Sequence, residues 1–194
     1  MKIVAYYQIL RQLTQGIVVT DRSGKKLNLQ SGFEKSIRLI NICRKNGRKL
    51  MFIGNGASAS IASHMAADFW KNGKIKAMAF NDAALLTSIS NDFGYPFVFE
   101  KPISEFADAG DILFAISSSG ESENILRAAR MARNKNVLVI SLSGFKEDNP
   151  LRKLGNVNFY VPFKKYGYVE VIHHSICHCL LDTLVCAITK GRKK

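Results

Sequence analysis
The chain has 194 residues, 47% hydrophobic and 22% charged, which suits one substantial core, read as a single domain over 1–194, and poorly fits two full domains. The net charge of +13 is carried by dispersed basic clusters, RKNGRK (44–49), KNGKIK (71–76), FKK (163–165) and the tail KGRKK (190–194). These read as solvated faces and a frayed tail; they argue against a nucleic-acid groove and leave a positive field that would draw in small phosphorylated substrates. No run of 18 apolar residues occurs and the start, MKIVAYYQILRQL, is too polar for a signal-peptide core, so no membrane association is expected and the chain is read as cytoplasmic.

In chain order, residues 2–17 and 30–46 carry apolar positions at three and four spacing, so a helical segment is expected over 1–47, broken by a turn-like TDRSGKK. From residue 48 the pattern changes. Short apolar runs, KLMFIGN (49–55), KAMAF (76–80), DILFAIS (111–117), NVLVISL (136–142) and VNFYVP (157–162), alternate with segments of helical spacing and predict five strands buried on both faces. The helical segments are SIASHMAADFWKNG, the stretch from AALLTSIS to FADAG, SENILRAARMARNKN with Ser122 as a cap before Glu123, and NPLRKLGN. This alternation over 48–189 means a parallel sheet with helices on both sides, an α/β domain. The last segment, YVEVIHHSICHCLLDTLVCAITKG, is apolar almost all the way round, so it calls for burial, inside the domain or against another subunit. Cys43, Cys177, Cys179 and Cys186 show neither a CxxC pair nor a disulfide framework.

Two loops at the carboxyl ends of predicted strands are small and rich in hydroxyls: GNGASAS after the first and SSSGESEN (117–124) after the third. Ligands of open parallel sheets bind beyond these ends, where helix N-termini present free N–H groups. Ser117, Ser118, Ser119 and Ser122, with Ser58 from the first loop, thus form a candidate phosphate cradle. The first loop lacks the GK[ST] ending of a Walker A and does not follow GxGxxG, so nucleotide binding is weakly supported. Of the four histidines, one is His64 and the others are His173, His174 and His178. Glu170, His174 and His178 follow at four-residue spacing, as do His64 and Asp68, so two helices each offer carboxylate and imidazole on one face. Such ladders suit a divalent metal, or a general acid and base on opposite sides of a substrate.

The stretches FIGNGASASIASHMAADF, SISNDFGYPFVF (88–99), AISSSGESENILRAA (115–129), VISLSG (139–144) and VEVIHHSICHCLLD (169–182) resemble the sugar isomerase (SIS) domain family, specifically its sedoheptulose 7-phosphate isomerase, or phosphoheptose isomerase, group. The resemblance runs from about residue 33 to 188. It implies a flavodoxin-like, three-layer α/β domain with a five-stranded parallel sheet and N-terminal helices, assembled as a homotetramer with active sites at subunit interfaces. The implied reaction converts D-sedoheptulose 7-phosphate to D-glycero-D-manno-heptose 7-phosphate, for the heptose of lipopolysaccharide or another surface polysaccharide. Carried over by position, Asn55, Gly56, Ala57, Ser58, Asn91 and Asp92 line the sugar-phosphate site, and Ser117, Ser118, Ser119 and Ser122 hold the phosphate. The family's zinc ligands fall on His64, Asp68, Glu170 and His178, and its proton-transferring carboxylate and histidine on Asp68 and His178.

Three positions depart from the family pattern: Asp68 stands for its usual glutamate, Glu170 for its glutamine and Ala57 for its second glycine. The shorter Asp68 matters because a misplacement of about 1 Å can cost on the order of a hundredfold in rate. Glu170 adds a negative charge that tightens a cation and raises the pKa of a neighbouring carboxylate. An isomerase of another sugar phosphate is the alternative these changes permit. A non-catalytic SIS-domain binding protein, such as one that binds a bacterial replication initiator, is a further alternative, against which the paired imidazoles speak.

Overall fold
The computed structural model describes residues 2–191, with the side chains of the last two left out of the description; the basic tail from residue 192 lies outside the described residues. Its elements, in order, are α1 (Ile3–Gln15), β1 (Val18–Asp21), β2 (Lys26–Leu27), α2 (Leu29–Lys45), β3 (Lys49–Gly54), α3 (Ala57–Lys71), β4 (Lys76–Ala79), α4 (Ala83–Phe93), α5 (Glu100–Phe106), β5 (Ile112–Ser117), α6 (Glu123–Asn134), β6 (Leu138–Gly144), β7 (Val157–Val161) and α7 (Tyr166–Gly191). All strands join one sheet in the order β2-β1-β7-β6-β5-β3-β4.

The five predicted strands are β3 to β7, and every pairing among them is parallel. Alternate side chains sort to opposite faces because the strand repeat is two residues. Leu50, Phe52, Ile112, Phe114, Ile116, Ile140 and Leu142 pack with α2, α3 and α7 on one side. Met51, Ile53, Leu113, Ala115 and Val139 pack with α5 and α6 on the other. Two hydrophobic layers therefore enclose the five parallel strands, of which the middle one, β5, is buried at every position, giving the expected three-layer αβα class.

The sheet has seven strands rather than five. The segment read as a turn between two helices is the tip of a β1–β2 hairpin, and β1 pairs antiparallel with β7. The tip is closed by Asp21, whose Oδ1 accepts from the Ser23 amide at 2.9 Å, the Ser23 hydroxyl at 2.7 Å and the Lys25 amide at 3.1 Å. Strands of four and two residues are too short to show periodicity, so only the turn chemistry was visible. A second difference lies between β6 and β7, where NPLRKLGN forms only a single 3₁₀ turn, Pro150–Lys153. Ser122 occupies the N-cap position of α6, but its side chain makes no capping bond.

Helix α7 is long and apolar enough, by length and composition alone, to cross a membrane. Here one face is spent inside the domain: Val169, Ile172, Ile176, Cys177, Leu180, Leu181 and Leu184 are buried in the core. It sits close to β6, since a Cβ at Gly144 would fall 2.8 Å from Cγ1 of Val169. At the other strand–helix junction a Cβ on Gly54 would lie 2.5 Å from the Ser58 backbone. Gly54→Ala is therefore expected to destabilise the protein by about 1–3 kcal/mol, seen as a lower urea midpoint with an unchanged slope.

Candidate active site
Among β3 to β7 the order β4-β3-β5-β6-β7 reverses direction between β3 and β5, and the crevice outside that switch point is where doubly wound sheets bind ligands. A cleft of about 240 Å³ opens there, lined by Asn55, Gly56, Ala57, Ser58, Ile116, Ser117, Ser118, Ser119, Ser122, Tyr166 and Glu170. Gly56, with φ of 54° and ψ of −125°, makes the sharp exit from β3 that glycine alone adopts easily. The turn is tightly wound, with the Ser58 amide donating to the Asn55 carbonyl at 2.9 Å and the Ala59 amide to the Gly56 carbonyl at 3.0 Å, and it brings the positive end of the α3 dipole to the cleft.

The two loops are tied together above the sheet. Asn55 Nδ2 donates to Asn124 Oδ1 at 3.0 Å, and Asn124 Nδ2 donates back to Asn55 Oδ1 at 2.9 Å. The Tyr95 hydroxyl donates to the same Asn55 oxygen at 2.9 Å. In the serine loop, the Gly120 amide donates to Ser117 Oγ at 3.2 Å and the Glu121 amide to Ser119 Oγ at 3.2 Å. The Ser122 hydroxyl lies 3.4 Å from Ser117 Oγ. Ser118 Oγ is buried and has no hydrogen-bond partner, a costly state for a hydroxyl unless a ligand oxygen satisfies it. Together with the helix N-terminus this is the chemistry of a phosphate site.

The histidines lie further along α3 and α7. His64 and His174 have ring centroids 5.1 Å apart, His64 and His178 5.5 Å, and His174 and His178 4.6 Å. One nitrogen from each of these three rings lies within 4.8 Å of the others. Asp68 flanks the cluster, with Oδ2 3.2 Å from His64 Nε2 and Oδ1 4.0 Å from Lys71 Nζ. Burial pulls the His174 pKa below its ordinary value, helped by the neighbouring His178 and His64 and opposed by Asp68. His174 Nε2 is buried with no partner, so the cluster has the donor chemistry of a divalent metal site and an imidazole in need of one.

The site residues read from the sequence thus fall into three places. Asn55, Gly56, Ala57, Ser58, Ser117, Ser118, Ser119, Ser122 and Glu170 line the cleft. His64, Asp68 and His178 stand at the histidine cluster, joined by His174. Asn91 and Asp92 lie on the exposed last turn of α4, where Asn91 Nδ2 donates to Asp92 Oδ1 at 2.9 Å, and they do not line the cleft. Tyr166 is an additional cleft residue, while Tyr95 and Asn124 act through their hydrogen bonds to Asn55. The Tyr95–Asn55 contact spans 40 positions and leaves no local signal in the sequence.

His173 points away from this cluster. It is fully buried and its Nε2 lies 3.1 Å from the Ser143 carbonyl, so it pins α7 to β6. Burial lowers its pKa from 6.5 to about 4. Between those values the unfolded chain binds a proton that the folded chain refuses, so this residue's contribution to stability is present above 6.5 and lost as pH falls toward 4. The urea midpoint of the protein should drop across that window, and His173→Gln should flatten the drop relative to the parent.

Comparison with known proteins places these features in a family. A model of the SIS domain matches residues 19–144. Phosphoheptose isomerase of Helicobacter hepaticus is 34% identical over 166 residues, covering 82% of this chain and 84% of that protein. The enzyme of the same name from Cytophaga hutchinsonii is 33% identical over 179 residues, 89% of this chain and 93% of its own. Among solved structures, phosphoheptose isomerase from Neisseria gonorrhoeae superposes with a TM-score of 0.82 at 27% identity, covering 94% of this chain and 96% of that one.

Proposed function
This chain belongs to the SIS domain family and, within it, to the phosphoheptose isomerases, and from that premise we propose that it interconverts D-sedoheptulose 7-phosphate and D-glycero-D-manno-heptose 7-phosphate. The observation that carries this reading is the placement of two chemistries at a fixed separation on one pair of helices. Ser58 and His64 are six residues apart on α3, about 9 Å along a helix axis. A seven-carbon phosphosugar held by its phosphate at the serine loop spans that order of distance to its C1–C2 bond. The substrate would thus run from the cleft, past Glu170, to the imidazoles.

The chemistry needed there is a proton transfer from C1 to C2 of the ketose through an ene-diol. Asp68 is the carboxylate proposed to take the C1 proton and return it at C2, which conserves the proton within the site. His178 is the imidazole proposed to give a proton to the C2 carbonyl oxygen and to remove one from the C1 hydroxyl as the aldehyde forms. The positive end of the α3 dipole and the serine hydroxyls hold the distant phosphate, so that binding energy there fixes the reacting end in register.

The donor set also fits zinc, which favours imidazole nitrogen in a tetrahedral sphere with one open position. His64 and His178 are imidazoles that would hold it. When bound, the ion would supply at oxygen the charge stabilisation that a protonated imidazole supplies without it. We assign the enzyme to the cytoplasm and its product to the heptose of lipopolysaccharide or another surface polysaccharide. Assembly as a homotetramer is supported by the apolar side chains that α1 leaves exposed, Ile3, Val4 and Tyr7.

Steady-state turnover of sedoheptulose 7-phosphate tests this reading, with His178→Ala as the inactive control. Ser118→Ala should raise KM about 10- to 100-fold, the loss of about 1.5–3 kcal/mol for a hydrogen bond to a charged group, with a much smaller change in kcat. A KM that does not move would remove the phosphate from the serine loop. A folded protein without turnover on this substrate would contradict the reaction itself.

A further inference from the structure
We propose that His174 completes a three-imidazole metal site with His64 and His178, and that Glu170 is left out of that site to serve the sugar-phosphate cleft. The inference rests on the metal-assisted reading above but can fail separately from it, because ligand identity is measured without turnover. It differs from the ligand set that family resemblance implies, His64, Asp68, Glu170 and His178, by bringing in His174, leaving Glu170 to the cleft and keeping Asp68 as the flanking carboxylate.

Two independent observations point to His174. Its Nε2 is buried without a hydrogen-bond partner, and an imidazole nitrogen kept from water without a donor or acceptor opposite it is destabilising unless a ligand fills the gap. Its ring also stands with those of His64 and His178 so that one nitrogen from each lies within 4.8 Å of the rest. That spread lets modest side-chain movement bring three nitrogens to the roughly 2.0–2.1 Å expected of zinc–imidazole bonds. Glu170, one helical turn nearer the N-terminus of α7, lines the phosphate cleft instead.

The division has a chemical consequence. Three neutral imidazoles bring no charge of their own to zinc, leave Asp68 as the carboxylate beside the cluster and keep one position open, the arrangement of sites in which the metal acts on a substrate oxygen. A glutamate ligand would remove one unit of the ion's charge. Kept in the cleft, the Glu170 carboxylate can instead accept hydrogen bonds from the hydroxyls of the sugar chain, which lies between phosphate and metal.

The test is zinc binding to the metal-stripped full-length protein, measured by competition with a chromophoric chelator, alongside cobalt spectra of cysteine variants. His174→Ala should weaken zinc at least about 100-fold, whereas Glu170→Gln should change it by less than about threefold. Because His174→Ala could disturb packing, His174→Cys supplies a gain of signal: its cobalt form should show a thiolate-to-cobalt charge-transfer band, and Glu170→Cys should not. The opposite pattern, with the band on Glu170→Cys and the affinity loss on Glu170→Gln, would overturn the inference. Parent protein that binds no zinc would overturn it too, and would leave the isomerase reading to its own assay.

Discussion

The packing of α7 beside α3 is the constraint on which the rest of this molecule depends. Both helices leave the carboxyl edge of the parallel sheet, so their N-termini meet at the serine loop and their third and fourth turns meet at the histidines. The close approach is built from small residues and a buried polar pin. Gly144 admits Val169 against β6, and His173 meets the Ser143 carbonyl. The apolar face of α7 fills the core beneath them. A shift of α7 along its axis would separate the phosphate cradle from the imidazoles, even if every side chain kept its own local environment.

The electrostatics divide in a similar way. The net charge of +13 sets a long-range field that favours anionic ligands, yet the cradle itself contains no lysine or arginine. Local recognition is left to hydroxyls and the partial positive charge of a helix start. Neutral donors of this kind are directional and short in reach, which suits a phosphate that must be held in one place while its far end reacts. Asn55 and Asn124 reinforce the geometry by satisfying one another across the two loops, so the cradle is arranged before a ligand enters.

Much of this architecture was legible in the order of residues, for reasons that can be named. Runs such as LMFI and ILFAI, bounded by turn residues, identified the buried parallel strands, because burial on both faces demands continuous apolar side chains. The hairpin at Val18–Leu27 was missed since β1 pairs with β7, where Val19 faces Phe159 140 positions away, and too few residues carry the pattern. The four-residue spacing put Glu170, His174 and His178 on one face of α7 correctly in kind, but spacing cannot say where along that face the cleft ends and the histidine cluster begins. That boundary is set by the height of α3 beside it. Ser122 illustrates the same limit: its position matched a helix cap, while its hydroxyl turns toward Ser117. Asn91 and Asp92, placed by resemblance alone, sit on an exposed helix turn outside the cleft.

The central claim is that phosphate cradle and reacting end are two stations at a fixed separation, so the most direct test is a ruler. We would measure kcat/KM for ketose phosphates of five, six and seven carbons, each phosphorylated at its terminal carbon, together with their inhibition of the seven-carbon reaction. The account predicts turnover concentrated on the seven-carbon substrate, with the shorter sugars binding competitively through the phosphate but reacting poorly. Equal turnover of all three lengths would contradict it, because the C1–C2 bonds of the shorter sugars could not reach the same groups while their phosphates stayed in the cradle.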